Sequence, residues 1–175
     1  MNQVKLTPEN PGRFSAAAVV PVAGSDFASC RIERVLENMA RKETIDLLER
    51  YYAAFNDGNW EEMLACLSDD VAHDINQGER QVGVDAYRTF LGHMERCYRE
   101  RLADIVVMAT DDGRRAAAEF VVHGEYLATD EGLPEANGQT YVLPAGAFIG
   151  IEDGKIVRLS MYYNLGDWMR QVAGG

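Results

Sequence analysis

Three side chains stand out as groups that could move a proton or hold an oxygen. Tyr51 lies on a helical stripe with Leu48 and Phe55, where a phenol either completes a core or donates into a pocket. His73 alternates with Val71 and Ile75 and shares their apolar face. An imidazole there titrates near neutrality and suits a general base or a hydrogen-bond donor, although a satisfied core histidine has the same pattern. Asp74 falls on the opposite face by simple alternation and reaches the same side only if the strand bulges. Tyr51, His73 and Asp74 are therefore the candidate catalytic residues. Phe55, Trp60, Phe90, Phe120, Phe148 and Tyr163 are the candidate apolar lining, with Gly146 leaving room and Asn164 offering a neutral amide.

Other clusters signal less. Glu119, His123 and Glu125 share one strand face, which reads either as a metal-binding row without a second cluster or as a polar outer or dimer surface. His93 is expected on the exposed part of a helix. Cys30, Cys66 and Cys97 are widely spaced, there is no C-x-x-C, and no His is read beside a Cys at zinc-ligand spacing. Neither a metal, a cofactor nor a disulfide framework is expected, and three reduced thiols suggest a cytoplasmic protein. No phosphate loop, nucleophile elbow or dinucleotide fingerprint is present.

Positioning these groups falls to a chain of 175 residues, the size of one domain with a self-sufficient core. Seventeen basic against 28 acidic residues give a net charge of −11, which disfavours nucleic acid, anionic membrane surfaces and highly anionic substrates as partners. Charges cancel up to Asn38, so the whole −11 sits in residues 39–175. Residues 1–30, with Pro8, Pro11 and Pro21 and no sustained periodicity, read as an irregular N-terminal arm, and 31–175 as the folded domain. The apolar run Ala16–Gly24 is too short for a membrane span and lacks the flanks of a secretion signal.

Helical spacing links Ile32, Val35, Leu36 and Met39, and then Ile45, Leu48, Tyr52 and Phe55, until Asn56-Asp57-Gly58 stops the helix. Asn59, with Glu62 three residues on, caps a short second helix. Val71–Ile75 is a brief strand, and Tyr87, Phe90, Leu91, Met94 and Tyr98 mark a third helix. The period then changes to two. Strands 101–110 and 114–126 flank Asp111-Asp112-Gly113, and strands 140–152 and 155–164 flank Asp153-Gly154. Residues 129–139, with Gly132, Pro134 and Gly138, read as a longer mobile loop, and 165–172 as a closing helix. Helices followed by antiparallel strands give an α+β fold.

The words Leu48-Glu49-Arg50-Tyr51-Tyr52-Ala53-Ala54-Phe55-Asn56-Asp57-Gly58, Leu67-Ser68-Asp69-Asp70-Val71, Gly83, and Asp153-Gly154-Lys155-Ile156 resemble the nuclear-transport-factor-2-like superfamily. They are most similar to its ketosteroid-isomerase-related and SnoaL-like branches, over about residues 40–172. The resemblance implies a cone-shaped barrel, in which a strongly curved antiparallel sheet wraps around the N-terminal helices with a pocket at the open end. It also implies a homodimer formed through the outside of the sheet. It places the isomerase oxyanion tyrosine on Tyr51, the base on Ile75 with Asp74 one residue short, and the second oxyanion donor on Gly146. The histidine and aspartate of the cyclases fall on Gly146 or Ala147 and on Asn164. Neither standard set is complete. The expectation is a cofactor-free acid–base enzyme of isomerase, cyclase or lyase type acting on a small, largely apolar carbonyl or enol compound. The alternative is a non-catalytic binding or dimerisation module of the same fold.

Overall fold

The computed structural model describes residues 25–173. Helix α1 (Ser25–Asn56) is followed by α2 (Trp60–Ala65), β1 (Leu67–Asp74), β2 (Arg80–Val82) and α3 (Val84–Cys97). Then come β3 (Tyr98–Ala109), β4 (Arg115–Tyr126), β5 (Thr140–Glu152), β6 (Lys155–Tyr163) and α4 (Leu165–Ala173). The six strands form one curved, unclosed sheet in the order β2-β1-β6-β5-β4-β3, with the helices on its concave face as in the expected α+β cone. The pairing is antiparallel except between β1 and β6, which run parallel.

Local chemistry sets the element ends. Gly58, at φ +66°, turns the chain out of α1, and Asn59 and Glu62 cap α2 reciprocally. Asn56 closes α1 against the sheet: its amide donates to the Leu102 carbonyl and its Oδ1 accepts from the Leu102 N–H. Asp153 and Gly154, both at positive φ, form the tight β5–β6 turn. On β4, Ala116, Ala118, Phe120, Val122 and Tyr126 face the helices while Glu119 and His123 face outward, as period-two alternation predicts. The core joins this face to Leu48, Tyr51, Tyr52, Val71 and Ile149.

Several expectations need correction. Helix α1 begins at Ser25, inside the stretch expected to be irregular, and residues 1–24 of that arm lie outside the described residues. Ile32, Val35, Leu36 and Met39 are helical as their spacing predicts, and all four are exposed. The strand around His73 starts four residues earlier than expected, and β2 carried too short a pattern to be read. Tyr98, expected on α3, opens β3 instead.

Candidate active site

A cavity of about 450 Å³ opens between α3, β1, the concave faces of β3–β6, α4 and the loop after β4. Its size suits a small organic molecule. His73 comes to its wall from β1, only 2% exposed. The imidazole stands edge-on to Tyr87 and Phe90, with ring centroids 4.7 and 4.6 Å away. Burial pulls its pKa down to about 4, against a weaker upward pull from Asp74, so the ring is neutral at physiological pH. Its Nδ1 is buried without a hydrogen-bond partner among the described residues. Behind Tyr87, the Tyr51 and Tyr87 phenols share a hydrogen bond of 2.5 Å. Burial raises both phenols, that of Tyr87 to about 12, so both remain protonated.

A second polar pair is built across three strands. Glu100 on β3 lies opposite Gly124 on β4, and Gly124 lies opposite Tyr141 on β5. Tyr141 lays its ring over Gly124, and its hydroxyl donates to Glu100 Oε1 at 2.5 Å. A Cβ at position 124 would sit 2.1 Å from the ring's Cζ, so only glycine lets the two outer strands meet here. Burial holds the Glu100 carboxyl above the usual glutamate range, partly offset by the Tyr141 hydrogen bond. Burial beside Glu100 likewise raises the Tyr141 phenol. Trp168 of α4 packs edge-on against Tyr126 and Tyr141 and covers this wall.

At the rim, Asp130 accepts from the Tyr98 hydroxyl at 2.8 Å and meets His93 Nε2 at 2.9 Å. Arg96 can only donate to His93 Nδ1, 2.8 Å away, so Nε2 carries the imidazole proton and donates to Asp130. Burial pushes the Asp130 carboxyl up, but hydrogen bonds from His93, Tyr98 and the Glu131 N–H hold it below the usual aspartate value.

Of the residues expected from sequence, the cavity brings together His73, Phe90 and Tyr163. Ile75, which the resemblance put at the base position, also lines it and supplies no acid. The others lie elsewhere. Asp74 follows simple alternation: β1 carries no bulge at that point, and the carboxylate pairs with Arg80 at 2.6 Å and accepts from Ser160 at 2.6 Å. Tyr51 ends in the core one ring behind the wall. Phe120 packs against Tyr52, and Phe55 against Trp60 at the α1–α2 corner. Gly146 and Phe148 occupy the outward phase of β5, where Phe148 is 58% exposed, while Ala145 faces the cavity. Asn164 caps α4 by accepting from the Asp167 N–H.

The groups missed were Glu100, Tyr141, Tyr98, Asp130 and His93. The segment expected to be a mobile loop carries Asp130 and Leu133 into the cavity wall. His93, expected on the surface, lines the cavity, and it stands one helical turn before Cys97, contrary to the reading that no His accompanies a Cys.

Two stability effects follow. Tyr51→Phe strands the buried Tyr87 hydroxyl and should cost about 1–3 kcal/mol, measured by urea unfolding. Because the His73 pKa falls from 6.5 to about 4 on folding, its contribution is present above 6.5 and is lost as pH falls towards 4. The loss amounts to roughly 3 kcal/mol at most. His73→Gln should therefore flatten the decline in Tm across that window, and an unchanged decline would contradict a neutral buried imidazole.

A family model described as the SnoaL-like domain matches residues 48–159. Among solved structures, a proposed polyketide cyclase from Pseudomonas putida KT2440 is 65% identical, with a TM-score of 0.73 over 74% of this chain and 97% of its own. One from Xanthomonas campestris pv. campestris is 56% identical, with a TM-score of 0.74 over 75% of this chain and 98% of its own. A more distant structure, an LEH-like epoxide hydrolase of M. tuberculosis, has 17% identity and a TM-score of 0.61 over 76% of this chain and 86% of its own, and shares the fold alone. No curated protein matches the sequence.

Proposed function

The chain belongs to the SnoaL-like domain family, and from that premise we propose that it catalyses cofactor-free proton transfer of cyclase or isomerase type on a small, largely apolar carbonyl or enol compound. The observation that carries this reading is that one cavity is lined by both an enclosed carboxyl with a raised pKa and a neutral imidazole. A carboxylate whose affinity for protons is raised towards neutrality is the better base for a weakly acidic C–H bond. Tyr141 occupies Glu100 Oε1, which leaves Oε2 for the substrate.

In this mechanism Glu100 takes the proton from carbon next to a carbonyl, and the electron pair of that C–H bond moves onto the carbonyl oxygen. The N–H of neutral His73 donates to the developing enolate oxygen. Glu100 then returns its proton, either to a different carbon of the enolate in an isomerisation or to the new alkoxide after carbon–carbon closure in a cyclisation. Relative to the sequence reading, the proton-moving role passes from His73 or Asp74 to Glu100, because an imidazole with a pKa near 4 is a weak base and Asp74 lies outside the cavity lining, paired with Arg80. The oxygen-polarising role passes from Tyr51 to His73, because Tyr51 does not reach the cavity.

The test needs no known substrate. Small cyclic β-diketones and enones are incubated with the protein in deuterium oxide, and α-carbon exchange is read by NMR. Exchange above the buffer rate that is lost in Glu100→Gln supports the reading. Ligand binding without exchange would support a non-catalytic module. We further propose a homodimer through the outer sheet face, where Val106, Met108, Val142, Phe148 and Tyr162 are exposed together. Native mass spectrometry should show two chains, and Phe148→Glu should release single ones.

A further inference from the structure

Three donors of different chemistry meet at the cavity rim. His93 and Cys97 are four residues apart in the last turns of α3, so their side chains stand one above the other on one face. Asp130 meets them from the loop after β4, and the donor atoms of all three lie within 4.8 Å of one another. We propose that His93, Cys97 and Asp130 bind a divalent cation of the zinc class, which ties the 127–139 loop to α3 at the mouth of the cavity.

The donor set selects the metal. An imidazole nitrogen, a thiolate and a carboxylate suit a borderline-soft ion, whereas magnesium and calcium take oxygen ligands and leave sulfur alone. With metal–ligand bonds of about 2.0–2.3 Å, tetrahedral ligand atoms sit roughly 3.3–3.8 Å apart. His93 Nε2 and Asp130 Oδ2, now 2.9 Å apart, need to open by roughly half an ångström, and the wider separations, at most 4.8 Å, need to close by about 1–1.5 Å or less. Three protein ligands leave a fourth position, and since His93 and Asp130 line the cavity that position opens towards it.

The surroundings hold the ligands in place. The Leu127 N–H donates to the Cys97 carbonyl at 2.8 Å, and the Asp130 N–H to the Tyr126 hydroxyl at 2.7 Å, so the loop is already fastened beside the helix end. Tyr98 orients the Asp130 carboxylate through Oδ2. On binding, the Cys97 thiol proton leaves to water. The His93 proton is transferred from Nε2 to Nδ1 by exchange with water, and Nε2 becomes the ligand. Arg96, which is exposed, swings away from Nδ1.

Glu100 and His73 need no ion for the chemistry proposed above. The cation acts on the loop and on access to the cavity, and this role rests on reading that cavity as the ligand site. Binding itself does not, and the test separates the two.

Cobalt(II) alone is titrated into the full-length chain carrying Cys30→Ser, because Cys30 is an exposed competing thiol. One cobalt per chain is expected, with tetrahedral visible bands and a thiolate-to-cobalt charge-transfer band in the near ultraviolet. Cys97→Ser should abolish the charge-transfer band, Asp130→Asn and His93→Gln should weaken binding by roughly tenfold or more, and zinc should displace the cobalt. Melting curves without metal check that each variant folds, and Asp130→Asn keeps the test open should Cys97→Ser fail. Absence of the charge-transfer band, or binding undiminished in Asp130→Asn, overturns the site. Carbon-acid exchange measured in chelator reports separately: exchange without a cobalt signal sinks only this inference, and a cobalt signal without exchange sinks only the catalytic reading.

Discussion

Gly124→Ala is expected to cost about 1–3 kcal/mol, towards the upper end of that range, and to disable the acid–base wall of the cavity at the same time. The new methyl carbon would lie 2.3 Å from Tyr141 Cε2 and 2.5 Å from its hydroxyl, so the ring must leave. Tyr141 is buried beside Trp168, and the open space next to it is the cavity, so the displaced ring either enters the site or disturbs α4. Its departure also removes the hydrogen bond to Glu100. Thermal unfolding should show a drop of several degrees, and α-carbon exchange should fall with it. A double variant, Gly124→Ala with Tyr141→Val, separates the two consequences. It should recover much of the stability, because the clash is gone, and none of the exchange. Equal losses in the single and double variants would mean that the close approach of ring and backbone is not what fixes this wall.

Glu100→Gln should slow exchange by roughly a hundredfold or more, in the range expected for a positioned general base. It should also stabilise the protein, and the sign follows from linkage. Folding raises the Glu100 pKa above its ordinary value of 4.5, so the folded state binds this proton more tightly than the unfolded state. The stability that Glu100 contributes is present below 4.5 and is lost as pH rises through the folded value. An amide cannot ionise and escapes that loss. Glu100→Gln should therefore melt higher than the parent at neutral pH, with the gain vanishing in acid. A variant that is inactive yet more stable is the signature of a group held in an unfavourable setting for function. A lower Tm at neutral pH would argue that the carboxylate is structural.

The sequence displayed the elements far better than it displayed the site. Helical spacing located α3, and alternation placed His73 inward and Asp74 outward, because one-face burial imposes a period that any single strand reveals. The Glu100–Tyr141 pair left no such trace. Its members are 41 positions apart, and their meeting depends on two strand registers that must both be right. Gly124 was the available signal, a glycine in the middle of an otherwise regular strand, where it marks a close approach. Gly146 and Phe148 were placed in the pocket although Leu143, Ala147 and Ile149 set the opposite phase for β5. Asp130 and His93 escaped because a loop's path over a helix end follows from tertiary packing, not from local pattern.

The parallel pairing of β1 with β6 bears on the order in which the cavity is made. β3 to β6 are joined by consecutive antiparallel connections and can zip from one neighbour to the next, whereas Asp74 must find Ser160 across 86 positions of chain. The meander, with Glu100, Gly124 and Tyr141, should form early, and β1 should dock late, followed by its short antiparallel partner β2. His73 rides on that late strand. The two halves of the proposed chemistry would then belong to different cooperative units, and hydrogen exchange should find the β1 amides less protected than those of β4 and β5. A transient opening of β1 would remove the imidazole from the cavity and leave the carboxyl wall standing.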